Sequence, residues 1–253
     1  MPLHHRVIPC LLLKNKGLVK TLKFRDPRYV GDPINAVKVF NQKEVDELVF
    51  LDIERAKSRE SPDFDLLEDI ATEAFMPMAY GGGLGSLRDI ERVYSTGFEK
   101  VVLNSITHDD PRVVSQAVAL AGSSGVIASV DVKKNMFGSY GVYGYSGEKK
   151  SKLGVIDFVK QMADLGVGEI LLGFVSRDGT GDGYDYQLIE EVCSAVSVPV
   201  VPVGGAANLQ DFRKAVEAGA SGVSAGSMFV FYGKHRAVLI NYPEYETLRD
   251  LFK

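Results

Sequence analysis

The residues best suited to chemistry are two carboxylates and four loops rich in glycine and serine. Asp131 ends an apolar run in SVDVKK. A carboxylate at the end of a buried strand is well placed for proton transfer. Asp178 lies in SRDGTGDG, which reads either as a second acid/base candidate or as a simple turn. Gly81-Gly82-Gly83, Asn104-Ser105, Gly204-Gly205 and Gly226-Ser227 each follow an apolar run. Glycine lets backbone N–H groups approach an oxyanion, and a helix N-terminus adds a favourable dipole. The plainer alternative is that these glycines only permit tight turns. The string GGGLG has the wrong glycine spacing for a dinucleotide fingerprint. His4, His5, His108 and His235 are scattered, and no P-loop, nucleophile elbow or Cys–His pair appears. No metal and no cofactor are expected.

A second charged set, Arg6, Glu47, Lys100 and Glu169, stands where four apolar runs begin. Two cations and two anions there can form a ring closing one end of a barrel. Simple solvation of the rim is the alternative.

The elements that must position these groups are short apolar runs alternating with helical stretches. Strands are expected at 6–13, 48–53, 77–80, 100–103, 125–132, 169–173, 199–203 and 222–225. Helical spacing covers 64–74, 87–95, 111–121, 153–165, 186–194 and 209–218. Near-continuous apolar strands separated by helices indicate a parallel sheet covered by helices. Eight of them predict a (β/α)8 barrel, one domain over residues 1–253, with its site at the C-terminal ends of the strands. Residues 14–36 read as a long loop, and 135–146 as a hairpin after the fifth strand.

An internal repeat strengthens this reading. Pro77, Gly82, Gly83, Leu87, Asp89, Gly97, Val101 and Ser105 each have an identical residue 122 positions later, as far as Ser227. A slightly shorter offset aligns Val7, Ile8 and Lys14 with Val126, Ile127 and Lys133, which puts Leu12 opposite Asp131. The chain is read as two repeated half-barrels. One phosphate loop then falls on each side of the mouth, so an elongated, bisphosphorylated ligand is expected.

Bulk properties narrow the field. The formal net charge is −4, giving no electrostatic reason for nucleic-acid or membrane-surface partners. Two distant cysteines, Cys10 and Cys193, do not make a disulfide framework, which fits a reducing cytoplasmic setting. The early apolar run at 7–13 is too short to span a bilayer.

The motifs VIPCLLLK, DELVFLDI, YGGGL, EKVVLNS, GEILLGFVSRDGTGDGYD and GGAANLQDF together resemble the HisF family, the cyclase subunit of imidazole glycerol phosphate synthase. The resemblance covers nearly the whole chain. It implies that ammonia from a HisH-like glutaminase enters at the barrel bottom and reaches a bisphosphorylated substrate at the top. The products would be imidazole glycerol phosphate and an aminoimidazole carboxamide ribotide. On this resemblance Arg6, Glu47, Lys100 and Glu169 match the ammonia gate. Gly83, Asn104, Ser105, Asp178, Gly179, Gly204, Gly205 and Ser227 match phosphate-site positions, and Asp131 matches one of two catalytic aspartates.

Leu12 stands where the resemblance requires the other aspartate. Gly173 and Val203 replace expected polar residues, and Ser176 an expected acidic one. Through CLLLK and the tail FVFYGKHRAVLINYP, the chain resembles a divergent subgroup encoded with bacterial surface-polysaccharide genes. That resemblance implies relay of ammonia to a separate sugar-amidinating enzyme. The alternatives are a working cyclase of histidine biosynthesis and a non-catalytic glutaminase activator.

Overall fold

The computed structural model describes residues 5–253, so His4 lies outside the described residues. Eight parallel strands form the barrel: β1 (Arg6–Lys14), β2 (Leu48–Asp52), β3 (Met78–Gly81), β4 (Lys100–Leu103), β5 (Val126–Lys134), β6 (Glu169–Phe174), β7 (Val200–Val203) and β8 (Gly222–Ala225). Each pairs in parallel with the next, and β1 pairs with β8, so the sheet closes on itself. Closure leaves no free edge among these eight strands.

The strand period of two sorts side chains into two layers. Ile8, Cys10, Val49, Ala79, Val102, Ile127, Leu171 and Val201 fill the barrel interior. Val7, Leu11 and Leu13 point the other way, into the larger core between sheet and helices. That parity carries Leu12 inward from β1. On β5 it carries Ile127, Ser129 and Asp131 inward.

The helices start at side-chain caps. Asp32 accepts from the backbone N–H of Asn35 ahead of Pro33–Gln42, with proline in the first turn. Ser86 and Asn208 cap the helices Leu87–Ser95 and Leu209–Glu217. These two helices start and end 122 residues apart, as do β3 and β7, and β4 and β8. The offset read from the sequence is therefore the spacing of the elements themselves.

The stretch expected as a loop at 14–36 is structured. Strands Gly17–Leu22 and Arg25–Gly31 form an antiparallel hairpin that continues the sheet from β1, and Pro33 opens a helix. The hairpin turn is Lys23-Phe24, both left-handed at φ 53° and 62°. It carries no Gly or Asn signature, which is why it reads as irregular chain. The helix Ile53–Ser58, directly after β2, was also not anticipated. The hairpin after β5 is present, with Tyr140–Gly144 pairing back onto β5. Asn135 shapes its turn by accepting from the N–H groups of Phe137 and Ser139, each at 2.9 Å. Among the described residues, no helix is long and apolar enough to cross a membrane.

Candidate functional site

A cavity of about 1160 Å³ opens at the C-terminal ends of the strands. Gly82, Asn104, Ser105, Asp178, Gly179, Gly204, Gly205, Gly226 and Ser227 all line it, as do Leu12 and Asp131. Gly83 sits back from the cavity wall, beneath Glu60 and Arg55.

Two pairs of loops face each other. Gly82 and Gly204 are repeat partners at φ 132° and 97°. Both angles favour glycine, and a Cβ on Gly82 would run into the backbone of Asp52. The short helices Ser105–Asp109 and Ser227–Val230 begin after Asn104 and Gly226 without any side-chain cap. Their first N–H groups are left for an acceptor in the cavity, as an anion-binding loop requires.

The wall between these loops is chemically uneven. β1 and β5 stand opposite each other in the ring of eight strands, so Leu12 faces Asp131 across the mouth. Beside Leu12, β2 presents the apolar Leu51. Around Asp131 the surface is polar. Asn104 Nδ2 donates to the Asp131 carboxylate at 3.2 Å, and Ser129 Oγ donates at 3.4 Å. Burial pushes the Asp131 carboxyl up to about 7, with the charge of Asp178 adding and the bonds from Ser129 and Asn104 opposing. A group poised there can exchange a proton at neutral pH. Gly173, next to Asp131 on β6, leaves room for it: a Cβ there would collide with Asp131 Oδ1.

Asp178 lines the cavity and is engaged by the first hairpin. Its carboxylate accepts from Thr21 Oγ1 at 2.6 Å and from the Phe24 N–H at 3.2 Å, and its carbonyl accepts from the Lys23 N–H at 2.9 Å. It anchors the tip of the first hairpin over the cavity. Burial raises its pKa, with the Thr21 and Phe24 bonds and the charge of Lys20 opposing. Gly179 permits this docking, because a Cβ there would strike the Thr21 carbonyl.

Lys20 was missed in the sequence because no motif marks it. It reaches into the cavity from the hairpin strand Gly17–Leu22, and Nζ donates to the Cys10 carbonyl at 2.6 Å. The register places it: Val19 pairs with Leu12, so Lys20 immediately follows the residue paired with Leu12.

At the opposite end, the structure brings together all four members of the charge ring. Arg6 pairs with both Glu47 and Glu169, and Lys100 Nζ meets both oxygens of Glu47 at 2.8 Å. Glu47 and Glu169 are buried. Glu99 beside them accepts from the Met78 N–H at 2.8 Å and takes no part in the ring's contacts. Among the described residues, no group of three or more His, Cys, Asp or Glu side chains could hold a metal ion.

Fold and site define a class: a duplicated barrel with paired glycine loops around a cavity at one end and a closed charge ring at the other. Comparison with known proteins gives the family. Residues 6–236 match the family described as Histidine biosynthesis protein. The chain is 44% identical over 244 residues, 96% of its length and 97% of the relative's, to "Putative imidazole glycerol phosphate synthase subunit hisF2" of Pseudomonas aeruginosa. It is 45% identical over 243 residues, 95% of its length and 94% of the relative's, to the similarly named hisF3 protein of Vibrio vulnificus. It is 35% identical over 225 residues, 88% of its length and 89% of the relative's, to the imidazole glycerol phosphate synthase subunit HisF of Alkaliphilus metalliredigens. The chain belongs to the histidine biosynthesis protein family and is a HisF-type imidazole glycerol phosphate synthase subunit.

Proposed function

We propose that this subunit takes ammonia from a separate HisH-like glutaminase at the N-terminal face and conducts it through the barrel to the cavity. The cyclase reaction is depleted there, and the ammonia serves a separate enzyme that amidinates a surface-polysaccharide sugar. One observation carries the reading: Leu12 faces Asp131 across the mouth, while the charge ring and both anion loops remain. Leucine neither accepts nor donates a proton, so only one side of the mouth presents a carboxylate.

The path favours neutral ammonia. The interior layer between ring and cavity is mostly apolar, with the Ser224 hydroxyl already spent on the Ile8 carbonyl, and an ammonium ion entering it would lose its hydration without a charged partner. The ring must rearrange to admit the molecule, which makes the docked glutaminase the natural trigger. The paired anion loops hold a bisphosphorylated ligand by its two ends. The relatives split by similarity: four whose names begin with "Putative", hisF2, hisF3 and two HisF proteins of Leptospira, are 42–45% identical to this chain, against 35–38% for four named simply as HisF subunits.

A second reading, a working cyclase, is favoured by the Asp131 carboxyl titrating at about 7 and by the amine of Lys20 in the same cavity. Two experiments test the proposal. Adding this chain to the HisH-like glutaminase should raise glutamine hydrolysis, while the chain alone hydrolyses none. Glutamine hydrolysis by the chain alone, or no stimulation of the glutaminase, would overturn the partnership. Binding of a bisphosphorylated ligand separates the subunit from a glutaminase activator that binds no substrate.

A further inference from the structure

Among the described residues, Lys20 is the only buried lysine, at 6% exposure. Its ammonium has three donors, and the Cys10 carbonyl takes one. No carboxylate lies within ion-pair distance of it among the described residues. Asp178, whose charge acts on Lys20, already holds Thr21 and Phe24 with one oxygen. Lys20 itself lines the cavity.

The duplicated frame shows how this position is built. In the first half Leu12 pairs with Val19, and Lys20 comes next; in the second half Asp131 pairs with Tyr143, and Gly144 comes next. Gly226 occupies the repeat position of Asn104, and a Cβ on Gly226 would collide with Lys20 Nζ. The second half therefore presents a carboxylate held by Asn104. The first half presents an amine in space that a glycine leaves open.

We propose that Lys20 is a nucleophilic lysine that condenses with the carbonyl of an acyclic sugar phosphate held between the two anion loops. The inference rests on the reading of this cavity as a phosphate-ligand site. The amine must first lose its proton, and burial favours that by lowering its pKa, with Asp178 and Cys10 opposing. The Nζ lone pair then attacks the carbonyl carbon. A C–N bond forms, and the C=O π pair becomes an oxyanion that takes up a proton. The carbinolamine expels its hydroxyl as water, with a proton supplied by the Asp131 carboxyl, and leaves an imine. Amine and carbonyl give imine and water with no further reactant. A protonated imine acidifies the neighbouring C–H, which gives the mouth a route to proton abstraction without a carboxylate at position 12.

Ribulose 1,5-bisphosphate is the appropriate probe, being an acyclic ketose with a phosphate at each end. The full chain is incubated with it, reduced with sodium borohydride, and analysed by intact mass and peptide mapping. Calorimetry measures binding of the same probe in parallel. One reduced adduct per chain is expected, mapping to Lys20 and lost in Lys20→Arg and in Gly226→Ala. Excess inorganic pyrophosphate should suppress it. Binding by calorimetry without an adduct, or adducts spread over exposed lysines and unchanged in Lys20→Arg, would overturn the imine while leaving the phosphate site standing. No binding at all would overturn both.

Discussion

Glu47→Gln gives a quantitative test of the ring at the barrel bottom. The carboxylate is 1% exposed and contacts two cations, Arg6 and Lys100. Breaking a buried ion pair by removing one partner costs roughly 3–5 kcal/mol. The Arg6 and Lys100 side chains keep 32% and 20% exposure, so water recovers part of their solvation. The expected loss is therefore about 2–3 kcal/mol. For a chain of this size that lowers the melting temperature by roughly 5–10 °C. Lys100→Met leaves Glu47 paired with Arg6 and should cost less, about 1–2 kcal/mol. The double variant should be less destabilised than the sum of the singles by about 1 kcal/mol, since each single change orphans the other charge. Urea unfolding and calorimetry of all four proteins close the cycle. Additivity within about 0.5 kcal/mol would refute the view that these residues act as one buried network.

Three further outcomes follow from the cavity. Inorganic phosphate or sulfate should occupy two positions, one near Gly82 and Ser105 and one near Gly204, Gly205 and Ser227; crystals grown in high phosphate with both loops empty would count against the anion sites. Because Asp131 titrates at about 7 when folded, the native state keeps a proton that the unfolded chain gives up near pH 4. Its contribution is complete below the unfolded pKa and falls as pH rises to about 7, so Asp131→Asn should flatten the stability profile between those values by about 1–3 kcal/mol, read from urea midpoints at pH 4 and pH 8; unchanged slopes would contradict it. Thr21→Val removes a 2.6 Å bond to half-buried Asp178 and should cost roughly 1–2 kcal/mol while increasing hydrogen exchange in the hairpin, an effect absent if Asp178 does not anchor it.

Much of this was legible because duplication leaves a fixed offset. The glycine loops at the mouth, the charge ring and the inward parity of Leu12 and Asp131 all follow from strands whose register cannot slip without turning the core outward. The first hairpin was not legible, because Lys23 and Phe24 adopt left-handed backbone angles without the residues that usually announce them. Lys20 went unseen for the same reason, since its place in the cavity exists only once that hairpin folds back onto β1. Asp178 was recognised as special, but nothing local indicates that its carboxylate turns toward Thr21, more than 150 positions earlier in the chain.

The central claim is that replacing one carboxylate by Leu12 removes most of the cyclase activity while leaving the ammonia path intact. The direct measurement is steady-state turnover of the bisphosphorylated cyclase substrate with ammonium salt, for this chain, Leu12→Asp, Asp131→Asn and a HisF subunit carrying both aspartates. Turnover by this chain should lie at least ~100-fold below the two-aspartate subunit, the low end of a general acid–base contribution. Leu12→Asp should recover only part of it, because Gly173, Ser176 and Val203 also differ. Turnover by the unmodified chain equal to that of the two-aspartate subunit would contradict the claim and return the protein to histidine biosynthesis as a working cyclase.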